Sequence, residues 1–414
     1  MTTLYNTLRG VEYDPVPVEL WTWQGERLGK VGAFSSMAFN STCKPGRAGT
    51  ATMEVYLTEL TAMLLPCDGT VLVAAHYNGR TLLYTPVTAE VHSLDDAPDV
   101  ALLTVQCTGG WSFLEGAITT PGLTGKLTDT PNESFELAGD LETVIKTLIN
   151  AGQARTGHPL VVLPSSGRGP RVTLTGAWET VGEHVADALT STGYALTFEG
   201  WVPGDPQPLE GYTLTRPCYV VDLKPHTPRV GMVWSYLGGD ISAWSVTRKR
   251  ASATRAVAHN GAEELANREI LEVQGAEPPS PWAVREVYVE HKPSEDENMD
   301  PIRLHNELEA AAVDKLTELG PALEISVNIE NAAGWEYGTD NVTPRQYDTG
   351  DIATIDLPVL GELMQVVTDV EVKITPEQLT VTPTVGTPDT IDVTTYDALA
   401  GIDKRLTRLE RKRG

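Results

Sequence analysis

Asp348, Asp351 and Asp356 lie close together in "YDTGDIATIDLP" (347–358). Carboxylates at such spacing could hold a divalent cation or divide general acid and base work between them. The same letters also read as a turn at Gly350-Asp351 followed by a strand with Ile352, Thr354 and Asp356 on one face. Asp suits turns because its side chain bonds nearby backbone N–H groups. Strand, turn and strand pass here without a nucleophile or a histidine partner, which favours the structural reading.

Other chemistry-bearing patterns are incomplete. "GLTGKLT" (122–128) lacks the four-residue gap between glycines of a phosphate loop, and Leu127 stands where a magnesium-binding Ser or Thr is required. "LPSSGRG" (163–169) has serines but not the Gly-x-Ser-x-Gly elbow of a hydrolase. The eight histidines form no HExxH or His-x-His pair. "SEDENMD" (294–300) has neither the sixth-position Gly nor the twelfth-position Glu of a calcium loop. A pair of carboxylates set for glycoside cleavage stays open, because the separation it needs is invisible in sequence. The nine tryptophans are scattered singly, which suits packing better than a sugar groove.

The elements that would carry such residues are mostly strands. Residues 16–125 alternate in polarity and are cut by "STCKPGRAGT", "CDGT", "HYNGR" and "DDAPD", which predicts a compact antiparallel barrel or sandwich. Asn78-Gly79 is a two-residue hairpin signal. From about 126 the period changes. "GDLETVIKTLINAG" sets Leu141, Val144, Ile145, Leu148 and Ile149 on one helical face, with Asp140 as cap and Gly152 as stop. "AWETVGEHVADALTSTG" does likewise with Val181, Val185, Ala188 and Leu189, and each helix leads into a strand. Residues 202–211 read as a surface loop. "TRAVAHNGAEELANREILEVQG" folds back at His259-Asn260-Gly261, and "AVREVYVEHK" follows as a strand. A helix then runs from the Asp300 cap and Pro301 through Leu304, Leu308, Ala312, Leu316 and Leu319 to Gly320-Pro321. More strands follow. A last short helix, 396–412, places Leu399, Ile402, Leu406 and Leu409 at three–four spacing.

At 414 residues the chain predicts two to four domains of globular composition. No apolar run approaches the roughly 18 residues that cross a bilayer, and the N-terminus has no signal-peptide core, so the expectation is a protein made in the cytoplasm. Cys43, Cys67, Cys107 and Cys218 stand apart and read as reduced, part-buried hydrophobes. The formal charge of −25 disfavours sequence-specific nucleic-acid binding. Residues 403–414 reverse the sign: six bases against two acids give +4, leaving −29 on the remainder. A reversal at one terminus points to a partner there.

Several stretches together carry a resemblance. Tyr337-Gly338-x-Asp340, then Gly350-Asp351-x-x-x-Ile355, then a strand ending in Pro383-x-x-Gly386 resemble the C-terminal part of minor tail proteins from long-tailed phages of actinobacteria. "VAHNGAEELANREILEV", "WAVREVYVEHK" and "LHNELEAAAVDKLTELG" resemble that family's hairpin, strand and helix in the same order. "FSSMAFNSTCKPGRAGTATMEV" resembles its opening strands, while Gly261-Ala262-Glu263 departs from the family's more usual Gly-x-Gly.

The resemblance implies a β-rich α+β chain with two antiparallel β-barrel-like hub domains, inserted helix–strand domains and a short C-terminal helix. The corresponding map is a barrel at 1–125, an α+β insert at 126–240 and a hairpin at 241–281. A strand–helix–strand segment at 282–335, a second barrel at 336–390 and a basic helix at 391–414 complete it. It further implies a siphovirus tail-tip or baseplate hub in the virion, similar to the hubs of contractile tails. Such a hub is a homotrimeric ring assembled in the host cytoplasm and used in DNA ejection. Its partners would be the tail tube or distal tail protein, the tape-measure protein and other minor tail or fibre proteins. DNA would pass through the lumen without specific binding. No enzymatic activity, cofactor or metal is implied. Leu399, Ile402, Arg405, Leu406, Arg408 and Leu409 are the expected partner-binding residues. The competing expectations are a tail-associated peptidase or cell-wall hydrolase, and a carbohydrate- or receptor-binding tail module.

Overall fold

The computed structural model describes residues 16–94, 97–123, 133–190, 192–261, 268–275, 277, 280–291, 301–329, 334–338, 345–358 and 360–386. The expected C-terminal helix, with Leu399, Ile402, Arg405, Leu406, Arg408 and Leu409, lies outside them, as do the acidic loop 294–300 and residues 124–128. Two compact units are present, one from Met1–Trp244 with Ser326–Gly414, the other Ser245–Ile325.

In the larger unit, buried and exposed residues alternate along strands such as Thr50–Tyr56 and Asp351–Leu357, which turn one face to the core and the other outward, whereas Val71–Tyr77 is buried on both faces over its first five residues. Phe34–Thr42 pairs antiparallel with Thr50–Tyr56, which pairs with Ala97–Thr108, which pairs with Arg80–Leu94. The last third of the chain joins the same ladder. Gly361–Ile374 lies antiparallel to Phe34–Thr42, from Asp369 opposite Thr42 to Ile374 opposite Met37. Rows of side chains therefore run across strands from both ends of the sequence. Val372, Phe39, Ala51 and Cys107 form one buried row, and Ile374, Met37, Met53 and Val105 the next. On the same side of Gly361–Ile374 as Phe34–Thr42, Asp351–Leu357 pairs antiparallel with its first half, while Leu379–Gly386 is the antiparallel neighbour on the other side.

The structure has the β-rich α+β class expected from sequence, 49% strand against 16% helix among the described residues. The strands do not close into two barrels. Those of the two chain ends share one open hydrogen-bonded array. The physical reason is the Gly361–Ile374 strand, long enough to serve Phe34–Thr42, Leu379–Gly386 and Asp351–Leu357 along its length.

Between these halves the chain builds a helical layer. Asp140 caps Leu141–Thr156, its carboxylate accepting from the Thr143 N–H at 2.9 Å. The helix does not stop at Gly152, as its sequence suggested, but at Gly157, whose φ of +68° suits a left-handed C-cap. Gly152 is instead an approach point. A Cβ there would lie 3.1 Å from Val181 and 3.3 Å from Ala117, so its absence lets the second helix, Val181–Leu189, pack close. Thr180 and Glu183 form the capping box of that second helix.

Glu142, in the first turn of the first helix, is fully buried and ties down the loop 163–169. Its carboxylate accepts from the backbone N–H groups of Ser166 (3.0 Å) and Arg168 (2.9 Å), from the Arg168 guanidinium (2.6 Å) and from Lys146 (2.7 Å). Asp222 closes the circuit, accepting from Lys146 at 2.7 Å and Arg168 at 2.6 Å. The loop serines serve this tie: Ser166 Oγ donates to Glu142, and Ser165 Oγ bonds Thr143.

In the smaller unit, Arg255–His259 is the central strand, antiparallel to Ile270–Gln274 and parallel to Glu286–Glu290. The expected hairpin is thus present. Pro301–Glu318 covers one face, with Leu308, Ala312 and Leu316 buried against Ala256 and Ala258, whose small side chains let the helix approach.

Burial alone would raise the Glu142 pKa, but its hydrogen bonds from Arg168 and Lys146 hold it well below the usual carboxylate range. A depressed folded-state pKa contributes stability above about pH 4.5 that is lost as pH falls further. Glu142→Gln should therefore cost on the order of 3 kcal/mol at pH 7, read from urea unfolding. The variant should also lose less stability than the parent between pH 6 and pH 3. Equal slopes for the two proteins would refute the assignment.

Candidate functional site

The aspartates that opened the chemical question sit around one turn and the strand after it. Asp348 accepts two hydrogen bonds from the Arg80 guanidinium, each 2.6 Å, with both side chains about nine-tenths buried. Arg80 directly follows the Asn78-Gly79 hairpin, where φ values of +43° and +75° match the type I′ turn expected of this pair. The same guanidinium donates to the Tyr337 hydroxyl at 2.8 Å and stacks 5.2 Å from that ring's centre. Burial opposes its charge, but Asp348, Tyr337 and Glu199 together outweigh burial and keep Arg80 protonated.

The hairpin tip is pressed against the Tyr337-Gly338 backbone. Asn78 Nδ2 donates to the Tyr337 carbonyl at 3.0 Å. A Cβ on Gly338 would stand 2.4 Å from Asn78 Cβ, so only glycine fits. Tyr337 stacks on Tyr77 and lies tilted against Tyr347, which meets Trp234 edge-on.

Asp351 turns the other way. Its carboxylate accepts from the Asp348 N–H and from Arg229 Nε, both at 2.7 Å. Burial raises its pKa despite Arg229. Gly350, at φ +92°, completes the turn, donating to the Val367 carbonyl while its own carbonyl accepts from His226 Nδ1 at 3.0 Å. Asp356 lies one strand length away and accepts from Ser235 Oγ at 3.0 Å. The sequence thus places three carboxylates together that the structure commits to Arg80, Arg229 and Ser235 separately. Sequence reading missed Arg80 and Arg229. The Asn78-Gly79 signal marked the hairpin, but nothing local in it names a partner.

A perturbed aspartate in a cleft is a common mark of catalysis, so the cavity that Arg80 and Thr349 help to line matters. It measures about 310 Å³, and Arg80, Lys44, Glu199, Asp205 and Thr349 help to line it. Several of its charges are engaged. Lys44 pairs with Asp369 at 2.8 Å, Glu199 with Lys224 at 2.7 Å, and Asp205 accepts from Thr81 and the Val202 N–H. Asp351 is not among its lining residues. Among the described residues no three His, Cys, Asp or Glu side chains are grouped to hold a metal. The four cysteines are unbridged, and burial pushes the thiols of Cys43, Cys107 and Cys218 up to about 12. Among the described residues no helix is long and apolar enough to cross a membrane.

Residues 17–387 match the family described as siphovirus ReqiPepy6 Gp37-like protein. The chain belongs to this family. Its fold is similar to that of the 43 kDa tail protein of prophage MuSo2 from Shewanella oneidensis, with a TM-score of 0.52 and 11% identity over 91% of this chain and 100% of that one. It is also similar to a tail protein from Neisseria meningitidis MC58, at a TM-score of 0.50 and 11% identity over 91% and 99% of the two chains. A search of curated proteins finds no match. At such identity the shared property is the fold: this siphovirus family member folds as phage tail proteins do.

Asp348→Asn leaves the buried Arg80 guanidinium with only the longer 3.4 Å pairing to half-exposed Glu199, and should cost on the order of 3 kcal/mol. Asp356→Asn loses one hydrogen bond to a serine and should cost about 1 kcal/mol or less. Denaturant midpoints of the two variants check this. Similar losses in both would mean that Arg80–Asp348 is not the tie described.

Proposed function

We propose that this protein is a structural, non-enzymatic hub of a siphovirus tail tip. Three copies would form a ring that continues the tail tube, contacts the distal tail, tape-measure and fibre proteins, and lets DNA through. The observation that carries the reading is the fold match to a tail protein whose whole length this chain covers, within a siphovirus family. The state of the carboxylates supports it, since those with the spacing for catalysis serve as ties between distant segments. A charge of −25 suits a lumen that must not hold DNA, because acidic walls repel phosphates. A closed cyclic ring also satisfies every copy of a head-to-tail interface. In this reading the basic segment bearing Leu399, Ile402, Arg405, Leu406, Arg408 and Leu409 holds the next tail component.

Native mass spectrometry of the protein with its neighbouring tail proteins should give three copies per complex, and negative-stain imaging a ring with a central opening. One copy per complex, at every concentration and with those partners present, would overturn the proposal.

A further inference from the structure

The outer side of the strands Thr227–Ser235, Asp351–Leu357 and Gly361–Ile374 carries an apolar strip. Val233 is paired with Thr354, and Thr354 with Met364, so the three side chains stand in one row. Val233 and Met364 are 43% and 49% exposed. Within four residues of Val233 along the chain come Tyr236, Val230 and Leu237, the last two 96% and 80% exposed. Hydrophobic side chains left this exposed bury only part of their area in the fold described, and a group of them marks a contact surface.

Two further observations say what covers it. The next row on the same face is Ser235, Asp356 and Glu362, and Asp240 binds the Ser235 N–H at 3.0 Å, so the strip has an acidic border. The body of the chain carries −29, which opposes packing two such strips from separate copies, whereas residues 403–414 carry +4. The second observation is where the chain leaves the sheet. Gly386 is paired with Val366 in an antiparallel ladder, so at its end Leu379–Gly386 points towards Met364, two residues or about 7 Å along the neighbouring strand. Residues 387–395 separate Gly386 from Tyr396 and reach about 30 Å at most. The segment that follows has Leu399, Ile402, Leu406 and Leu409 on one helical stripe and Arg405 and Arg408 beside it.

We infer that residues 396–412 seat in cis on this strip, their leucine and isoleucine side chains on Val233, Met364, Tyr236 and Leu237 and their arginines along Asp240, Asp356 and Glu362. The seat covers the strip in the unassembled chain, and a tail partner would have to lift the segment from it. It holds whether or not the chain enters a ring.

The test uses the full chain with Cys67→Ser, the other three native cysteines being buried. Met364→Cys combined with Leu406→Cys is oxidised mildly at low micromolar concentration. Val91→Cys with Leu406→Cys, on an exposed residue away from the strip, is the control. The Met364 pair should form an intrachain disulfide at least ten times faster than the control, at a rate independent of concentration. Adding Glu362→Lys should slow it several-fold. Val233→Cys with Leu406→Cys repeats the measurement should the first pair fold poorly. Equal rates for strip and control would overturn the seat, as would bridges only between two chains, which would assign the strip to a second copy.

Discussion

A guanidinium and a carboxylate 268 residues apart in sequence meet in the interior of this protein, and much of the larger unit is arranged so that they can. Taking each ion out of water costs several kcal/mol, which attraction offsets only when geometry is good and spare donors and acceptors are matched. Arg80 and Asp348 meet that condition: two parallel hydrogen bonds, a tyrosine hydroxyl for a further N–H and an aromatic face beneath the cation. Few other arrangements of these segments would satisfy both charges. The pair therefore works as a register lock between the Asn78-Gly79 hairpin and the turn at 348–351. Gly338 and Gly350 are the backbone concessions that let the two approach.

Buried acids elsewhere follow the same pattern. Glu142 has two cations and two backbone donors, and Asp351 has Arg229 and a backbone N–H. A catalytic carboxylate keeps an oxygen free for substrate. In Glu142 both oxygens are turned inward, towards a loop that lacks ladder hydrogen bonds of its own. Loop 163–169 is the plainest case: it reads as a serine-bearing loop, and its Ser166 and Arg168 face Glu142 while Ser165 bonds Thr143.

What could be read in the sequence was local. The Asn78-Gly79 turn, the Asp140 cap, the hairpin around His259-Asn260 and the Gly350 turn each follow from backbone preferences within a few residues, and the structure has them. Gly152 shows where local reasoning fails. A glycine after a helical stripe resembles a stop, yet here it marks where Val181 comes near, a contact set by another helix. The ladder between Phe34–Thr42 and Gly361–Ile374, and the Arg80 partner of Asp348, lay beyond reach for the same reason. Alternation names a strand and its buried face but not its neighbour.

That ladder also shapes how the chain is born. Thr42 waits for Thr368, 326 residues later, before the edge of Phe34–Thr42 is covered. At a synthesis rate of about 5–20 residues per second, the wait is roughly 15 to 65 s on the ribosome. Throughout it, a nine-residue strand carrying Met37 and Phe39 offers an open edge, the template on which stray chains pair. Every copy thus passes through a nascent state that is prone to aggregate and suited to capture by a chaperone, and the yield of folded protein depends on how well the host guards that interval.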